Sequence, residues 1–125
     1  MAIDDPTMSE TRALVVADAE GFIRMWSSGA EALFGYPAAD ALGRSLELLI
    51  PERFRERHWR AFHAAMATGV IEMDEVITPA IHADGIEVNH TGRLGLLKDR
   101  EGATIGAVAT WDTTWVRVAV LPTQR

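Results

Sequence analysis

One histidine lies on a predicted apolar helix face, where its imidazole could bind a metal or another ligand. The segment 51–68 has proline at its start, Glu52 in its first turn and Gly69 just past its end, a pattern typical of a helix. At about 100° per residue, His58 shares roughly a third of the helical wheel with apolar residues. These residues are Phe54, Ala61, Phe62 and Ala65. Neutral imidazole is a common metal ligand, and a buried ring nitrogen without a partner is costly. Two hypotheses follow: His58 serves a bound group, or it is a core histidine bonded to a backbone carbonyl.

A second histidine is predicted to face inward from a strand over 86–97. Alternate residues of a strand share a face, and the face that carries His90 is the more apolar one. Its other members are Ile86, Val88, Gly92, Leu94 and Leu96. This face should pack against the helices, so His90 and His58 are expected to point inward from opposite walls.

Two further residues of the sheet are candidates for the same wall. Gly92 removes a side chain there, which either widens a pocket or marks a bulge. Trp111 ends a predicted strand over 103–111 and shares its face with Ile105, Ala107 and Ala109. It either lines the pocket or packs in the core or at an interface.

Composition excludes several classes of protein. The chain has 125 residues, 48% of them apolar, which suits one globular domain. It has no cysteine, so disulfide scaffolds, thiolate metal sites and cofactors bonded through sulfur are ruled out. A net charge of −6 with no basic patch argues against a nucleic-acid partner. No apolar run approaches the roughly 18 residues of a membrane helix, and 1–11 is too polar for a signal peptide. We therefore expect a cytoplasmic protein without a membrane partner.

The elements that must position these residues follow from turn and periodicity signals. Two strands at 13–17 and 22–26 are followed by short helical segments, then by the long helix, then by strands at 75–81, 86–97 and 103–111. This order predicts an α+β fold, in which a five-stranded antiparallel sheet carries helices on one face.

The same order resembles that of a PAS domain. The likeness lies in the first hairpin, the helix after it, the next connection and the last two hairpins. In one-letter code the matching residues are ALVVADAEGFI at 13–23, WSSGAEALFGY at 26–36, LGRS at 42–45, LIP at 49–51, DG at 84–85 and WDTT at 111–114. The resemblance implies a PAS domain over 13–121, with an N-terminal arm or cap at 1–12 and a C-terminal tail at 122–125.

A closer resemblance concerns the start of the long helix. The segment PERFRERH at 51–58 is similar to the oxygen-sensing haem PAS domains of rhizobial sensor kinases, in which the residue at the His58 position is the proximal iron ligand. The resemblance implies haem b, with His58 as its metal ligand. Together with the helix and strand faces described above, this predicts a cofactor site formed by His58, Phe54, Ala61, Phe62 and Ala65 on the helix, and by His90, Gly92, Leu94 and Trp111 on the far wall.

The resemblance does not extend to every functional residue of those domains. The arginine that reads bound oxygen there corresponds to a position near Val76, and an arginine that binds a haem propionate there corresponds to one near Ala64. The identity of the gas therefore stays open. Two interpretations of His90 also stay open. It lies on the distal side, bonding a gas or acting as sixth ligand, or it lies off the pocket, bonded to a backbone group or to water.

Three functions are consistent with these residues. The first is a haem-based sensor of a diatomic gas or of redox state, a homodimer that signals to a partner protein in trans. The second is a haem-free PAS module that binds a small apolar molecule or mediates dimerisation. The third is a small haem enzyme using peroxide or oxygen, with His90 as its acid–base group. The first is preferred, and a sensor is favoured over an enzyme.

Overall fold

The computed structural model describes residues 12–71 and 75–112, and five strands run through them. The strands are β1 (Arg12–Asp18), β2 (Ile23–Trp26), β3 (Glu75–Ile81), β4 (Glu87–Lys98) and β5 (Thr104–Asp112). They form one sheet in the order β2-β1-β5-β4-β3, and every neighbouring pair is antiparallel. The first and last strands of the chain are thus central neighbours, although 85 or more residues separate their paired positions.

Helices fill the connection between β2 and β3. They are α1 (Ser28–Phe34), α2 (Ala38–Ala41) and α3 (Arg55–Thr68), with single 3-10 turns at Leu46–Leu48 and Glu52–Phe54. The side chain of Ser27 caps α1 by accepting a hydrogen bond from the Ala30 amide, and Gly35 ends the helix in the left-handed conformation. The predicted α+β fold, with a five-stranded antiparallel sheet and helices on one face, is confirmed.

The packed core lies between α1 and the sheet. Phe34 and Ile23 are fully buried at its centre, and Trp26 and Trp111 flank Phe34 with ring centroids 5.7 and 5.1 Å away. Alternate residues of β1 are buried, as the valine-rich sequence predicts. Within the described ranges, no helix combines the length and the apolar composition needed to cross a bilayer.

Several element boundaries differ from the prediction, by four residues at the start of the long helix and by a single residue at strand ends. The long helix was expected to run over 51–68, but its first residues form a 3-10 turn and α3 begins at Arg55. The Phe54 amide donates to the Pro51 carbonyl at 2.9 Å, which closes a tighter turn than an α-helix allows. Arg12 was expected in the N-terminal arm, but it opens β1 opposite Asp112. The rest of that arm and the tail at 122–125 lie outside the described residues.

Candidate functional site

A cavity of about 190 Å³ lies between α3 and the inner face of the sheet. Its walls are almost entirely apolar, and its one titratable lining residue is His58. The lining residues are Val15, Ala17, Leu46, His58, Ala61, Phe62, Ala65, Met66, Ile71, Leu94, Leu96, Ala107, Val108, Ala109 and Trp111. Such walls suit an apolar molecule that makes a single polar contact.

His58 is the lining residue whose ring nitrogens could make such a contact. Its Nδ1 atom is buried and has no hydrogen-bond partner among the described residues. Burial lowers the pKa of His58, although the charge of Glu47 acts in the opposite direction, and His63 lowers the pKa further. The imidazole is therefore neutral at neutral pH, which is the state that binds a metal or accepts a hydrogen bond.

Helix α3 holds His58 through an aromatic anchor on the next residue. The Trp59 indole nitrogen donates to the Glu47 carboxylate at 2.6 Å, and the Trp59 ring lies against Gly21 so closely that a side chain there would collide with it. The His58 ring packs edge-on against Trp59, with centroids 4.6 Å apart, and its other aromatic neighbour on the helix is Phe62 at 5.9 Å. The first half of α3 is thereby attached to the loop between β1 and β2.

The rest of α3 packs loosely. Phe62 is the single residue of this helix that is buried, and Ala61 is exposed even though it borders the cavity. The Lys98 ammonium donates to the Gly69 carbonyl at 2.7 Å and ties the end of the helix to β4. The helix thus has polar attachments at both ends and little apolar packing between them.

Six of the nine predicted site residues meet at this cavity. They are His58, Ala61, Phe62, Ala65, Leu94 and Trp111. Phe54, His90 and Gly92 are not among its lining residues. The Phe54 ring lies beneath two guanidinium groups, with the Arg53 and Arg57 Cζ atoms 4.4 and 5.2 Å from its centroid.

Gly92 makes room for a neighbouring ring. A side chain at Gly92 would collide with the Trp111 indole and stand 2.9 Å from the Thr110 carbonyl. Neither the expected widening of a pocket nor a bulge is seen at this position, since the β4–β5 register is regular there and shifts only between Leu97 and Lys98. The indole nitrogen of Trp111 donates to the Thr78 hydroxyl at 2.9 Å, so the tryptophan is fixed on the sheet.

His90 points inward, as predicted, but into the packed core. It is only 1% exposed, and its ring packs edge-on against Phe34 at 5.7 Å. Its Nε2 atom lies 2.8 Å from Nε2 of His82, which follows β3. Of the two interpretations of His90, this placement fits the one off the pocket, with a histidine as partner. Burial lowers the pKa of His90 to about 4, and the neighbouring His82 contributes to the shift.

Sequence reasoning missed the partner of His90 and several lining residues. His82 begins the β3–β4 turn, where its amide donates to the Ile86 carbonyl. Its side chain, however, folds back past the end of the strand, which strand alternation does not describe. The lining residues Val15 and Ala17 could have been found, because the alternation of β1 places both on its inner face.

Comparisons with known proteins agree with this architecture. A family model described as the PAS fold matches residues 11–117. A Sensor protein FixL of Bradyrhizobium diazoefficiens is 41% identical over 46 residues, which is 37% of this chain and 9% of that protein. An uncharacterized protein of Azorhizobium caulinodans is 37% identical over 76 residues, 58% of this chain. The chain spans about a tenth of the length of these two relatives.

Solved structures show the same fold. The PAS domain of a protein from Colwellia psychrerythraea superposes with a TM-score of 0.69 at 20% identity, covering 90% of this chain and 97% of that one. The PAS domain of the Cronobacter turicensis RpfR quorum-sensing receptor, in complex with C12:0, gives a TM-score of 0.66 at 14% identity, covering 82% and 93%. Since the family model spans most of the chain and the sheet order and helices are those of its structural neighbours, the chain belongs to the PAS family of sensor domains.

Proposed function

We propose that this PAS domain senses a diatomic gas or redox state through haem b held in the cavity, with His58 as the iron ligand. The observation that carries the proposal is the neutral imidazole of His58 in an otherwise apolar lining, with an Nδ1 atom that has no hydrogen-bond partner among the described residues. The similarity to the Bradyrhizobium sensor protein and the likeness of 51–58 to haem PAS domains support it. When bound, haem iron supplies reversible ligand binding and one-electron exchange.

The residues at the cavity suit an iron that is already bound by the four nitrogens of a porphyrin better than a free metal ion. Among the described residues, no three histidine or acidic side chains converge on a common point. A porphyrin iron needs only one or two protein ligands, and His58 offers one. Small side chains at Ala61 and Ala65 leave space beside it for a flat macrocycle. The lining holds no basic side chain, so the propionates would need partners outside it.

The size of the cavity requires α3 to move for haem to enter. Pockets for drug-sized ligands usually measure about 300 Å³ or more, whereas this cavity measures about 190 Å³. The loose middle of α3 is the wall that can yield, since Phe62 is its single buried residue. We therefore expect haem binding to displace α3 from the sheet while Trp111 and Leu94 stay in place as the opposite wall.

Haem titration of the purified chain tests the proposal. One equivalent of haemin should produce a Soret band, and His58→Ala should abolish stoichiometric binding because the iron loses its protein ligand. His63→Ala is the matched control, since His63 is exposed on the same helix and does not line the cavity. Binding by His58→Ala with the parent's stoichiometry and Soret position would show that His58 is not the ligand.

A second candidate is a haem-free sensor of a small apolar molecule. The cavity volume favours it, because an engineered apolar cavity of about 150 Å³ accommodates benzene, and this one is only slightly larger. The RpfR domain of the same fold holds C12:0. Calorimetric titration with dodecanoate distinguishes the two functions: saturable binding by a chain that takes up no haemin supports the second. Haemin uptake that depends on His58 supports the first.

A further inference from the structure

Two histidines outside the cavity meet across the β3–β4 hairpin. His82 follows the last residue of β3, and His90 lies inside β4. Their Nε2 atoms are 2.8 Å apart, which is hydrogen-bond distance. His90 is almost completely buried, whereas His82 is half-buried. The proposed ligand site uses neither residue.

The two rings meet end to end. Their planes differ by only 11°, and their centroids are 5.1 Å apart. The distance between the centroids is as long as the path from one centroid through the two Nε2 atoms to the other centroid. The two rings therefore lie nearly in line and are not stacked one above the other. This arrangement suits a linear N–H···N hydrogen bond. A chelated metal would require the two lone pairs to converge on a third point, so the geometry favours a proton.

The surroundings make the two rings unequal. Phe34 of α1 packs edge-on against both, with centroids 5.7 Å from each. Burial lowers the pKa of His82, and among the described residues the charge of Asp84 in the turn acts in the opposite direction. Opposite His90 on β3 lies Thr78, which does not titrate. A first proton is therefore held better by His82 than by His90.

We propose that His82 and His90 form a proton-binding pair that joins the hairpin to the wall of the cavity. In the neutral pair, one Nε2–H donates to the other Nε2. A first added proton makes His82 an imidazolium that still donates to His90, whose own proton then lies on Nδ1. A second proton places a hydrogen on both facing nitrogens, so no acceptor remains and the contact breaks.

A short chain of hydrogen bonds connects this pair to the cavity. The Thr78 hydroxyl donates to the His90 carbonyl at 3.0 Å and accepts from the Trp111 indole nitrogen at 2.9 Å. Trp111 is a lining residue of the cavity. Breaking the histidine contact is therefore expected to disturb the Trp111 side chain, whichever molecule the cavity binds. The inference does not depend on the proposed haem function.

Nuclear magnetic resonance of the ¹⁵N-labelled full chain tests the pair directly. At neutral pH we expect a scalar coupling between Nε2 of His82 and Nε2 of His90, because such couplings pass only through a hydrogen bond. The coupling should persist as the first proton binds and disappear as the second binds. If no coupling is seen at neutral pH and both rings titrate independently, the pair does not exist and the proposal fails.

A non-titrating variant tests the connection to the cavity. In the parent, the Trp111 indole N–H resonance, assigned by its loss in Trp111→Phe, should shift as the second proton binds. In His82→Gln the amide oxygen can still accept from Nε2–H of a protonated His90. The contact therefore survives when His90 is charged, and this shift should be much smaller than in the parent. His63→Gln, on the exposed side of α3, should retain it. An equal shift in His82→Gln would overturn the coupling to the cavity, and the direct measurement on the parent still decides on the pair if that variant does not fold.

Discussion

The two inward-facing histidines lie in regions that are packed very differently. His90 lies against fully buried Phe34 in the packed core, where a second histidine meets its ring nitrogen. His58 lies on a helix with one buried residue, beside a cavity, and its Nδ1 has no partner in the described part of the chain. Burial alone therefore does not identify a ligand site. In the packed core the chain supplies a partner for Nε2 of His90, whereas beside the cavity no described residue supplies one for Nδ1 of His58.

The largest effect is expected from truncating one phenylalanine in each region. Phe34→Ala should lower the free energy of unfolding by about 3–5 kcal/mol, because it opens a void among residues that are already tightly packed. Phe62→Ala should lower it by no more than about 2 kcal/mol, since Phe62 already borders a cavity and is 8% exposed. Urea denaturation of both variants measures the difference. Equal losses would mean that the two regions are packed alike.

Acidification should destabilise the fold, because protonation would place a positive charge on His90 in the packed core. The pKa of His90 lies near 4 in the folded chain, against an ordinary value of 6.5. The unfolded chain therefore takes up this proton first, and stability is lost as the pH falls from about 6.5 towards 4. The difference converts to at most about 3 kcal/mol. The pKa values of His58 and His82 are also lowered by burial and act in the same direction.

The contribution of His90 to this pH dependence can be separated from those of His58 and His82 by the slope of unfolding free energy against pH. In His90→Gln, the plot of unfolding free energy against pH should flatten between pH 6.5 and 4, whatever the variant's absolute stability. His63→Gln, which changes an exposed histidine of α3, should change the slope less, because it affects the pKa of His58 and not that of His90. If His90→Gln loses as much stability on acidification as the parent, protonation of His90 is not the cause of that loss.

Local patterns predicted much of this molecule. The strand over 75–81 has the predicted limits, and β4 and β5 are each shifted by a single residue. Period-two alternation also placed His90 on the inner face. These features depend on turn signals and on side chains a few residues apart, which the sequence displays directly.

Contacts between distant residues were not predictable in the same way. Whether a lining residue faces a void depends on how far α3 stands from the sheet, which no segment specifies alone. The Trp59 ring against Gly21 and the His82–His90 contact join residues whose approach depends on loop shape. The same is true of Gly92. Its role became clear only when β5 was placed beside β4 with Trp111 opposite.

Gly92 offers an intermediate effect at the border between the two regions. Gly92→Ala should cost about 1–3 kcal/mol, because the added methyl group overlaps the Trp111 indole and the displaced ring must move. Gly95→Ala in the same strand is the matched control, since its added carbon would meet a single Val108 methyl group at 3.3 Å, a contact that a shift of a few tenths of an ångström relieves. Thermal unfolding and near-ultraviolet circular dichroism of both variants test this. If Gly92→Ala has the parent's stability and tryptophan signal, the Trp111 indole does not lie against Gly92.

The smallest effect concerns the attachment of α3, and it tests whether the helix moves as a unit separate from the packed core. Trp59→Phe keeps an aromatic ring on the helix but removes the hydrogen bond to Glu47 and the outer edge of the indole that lies against Gly21. The loss of the hydrogen bond alone should cost about 1 kcal/mol. Amide hydrogen exchange should accelerate in α3 and stay unchanged in α1, because local opening needs only the contacts of the opening segment to break. Glu47→Gln, which retains an acceptor, should have a weaker effect. Equal acceleration in both helices would show that α3 opens only with the whole domain, and a ligand larger than the cavity could then enter only at the cost of unfolding the core.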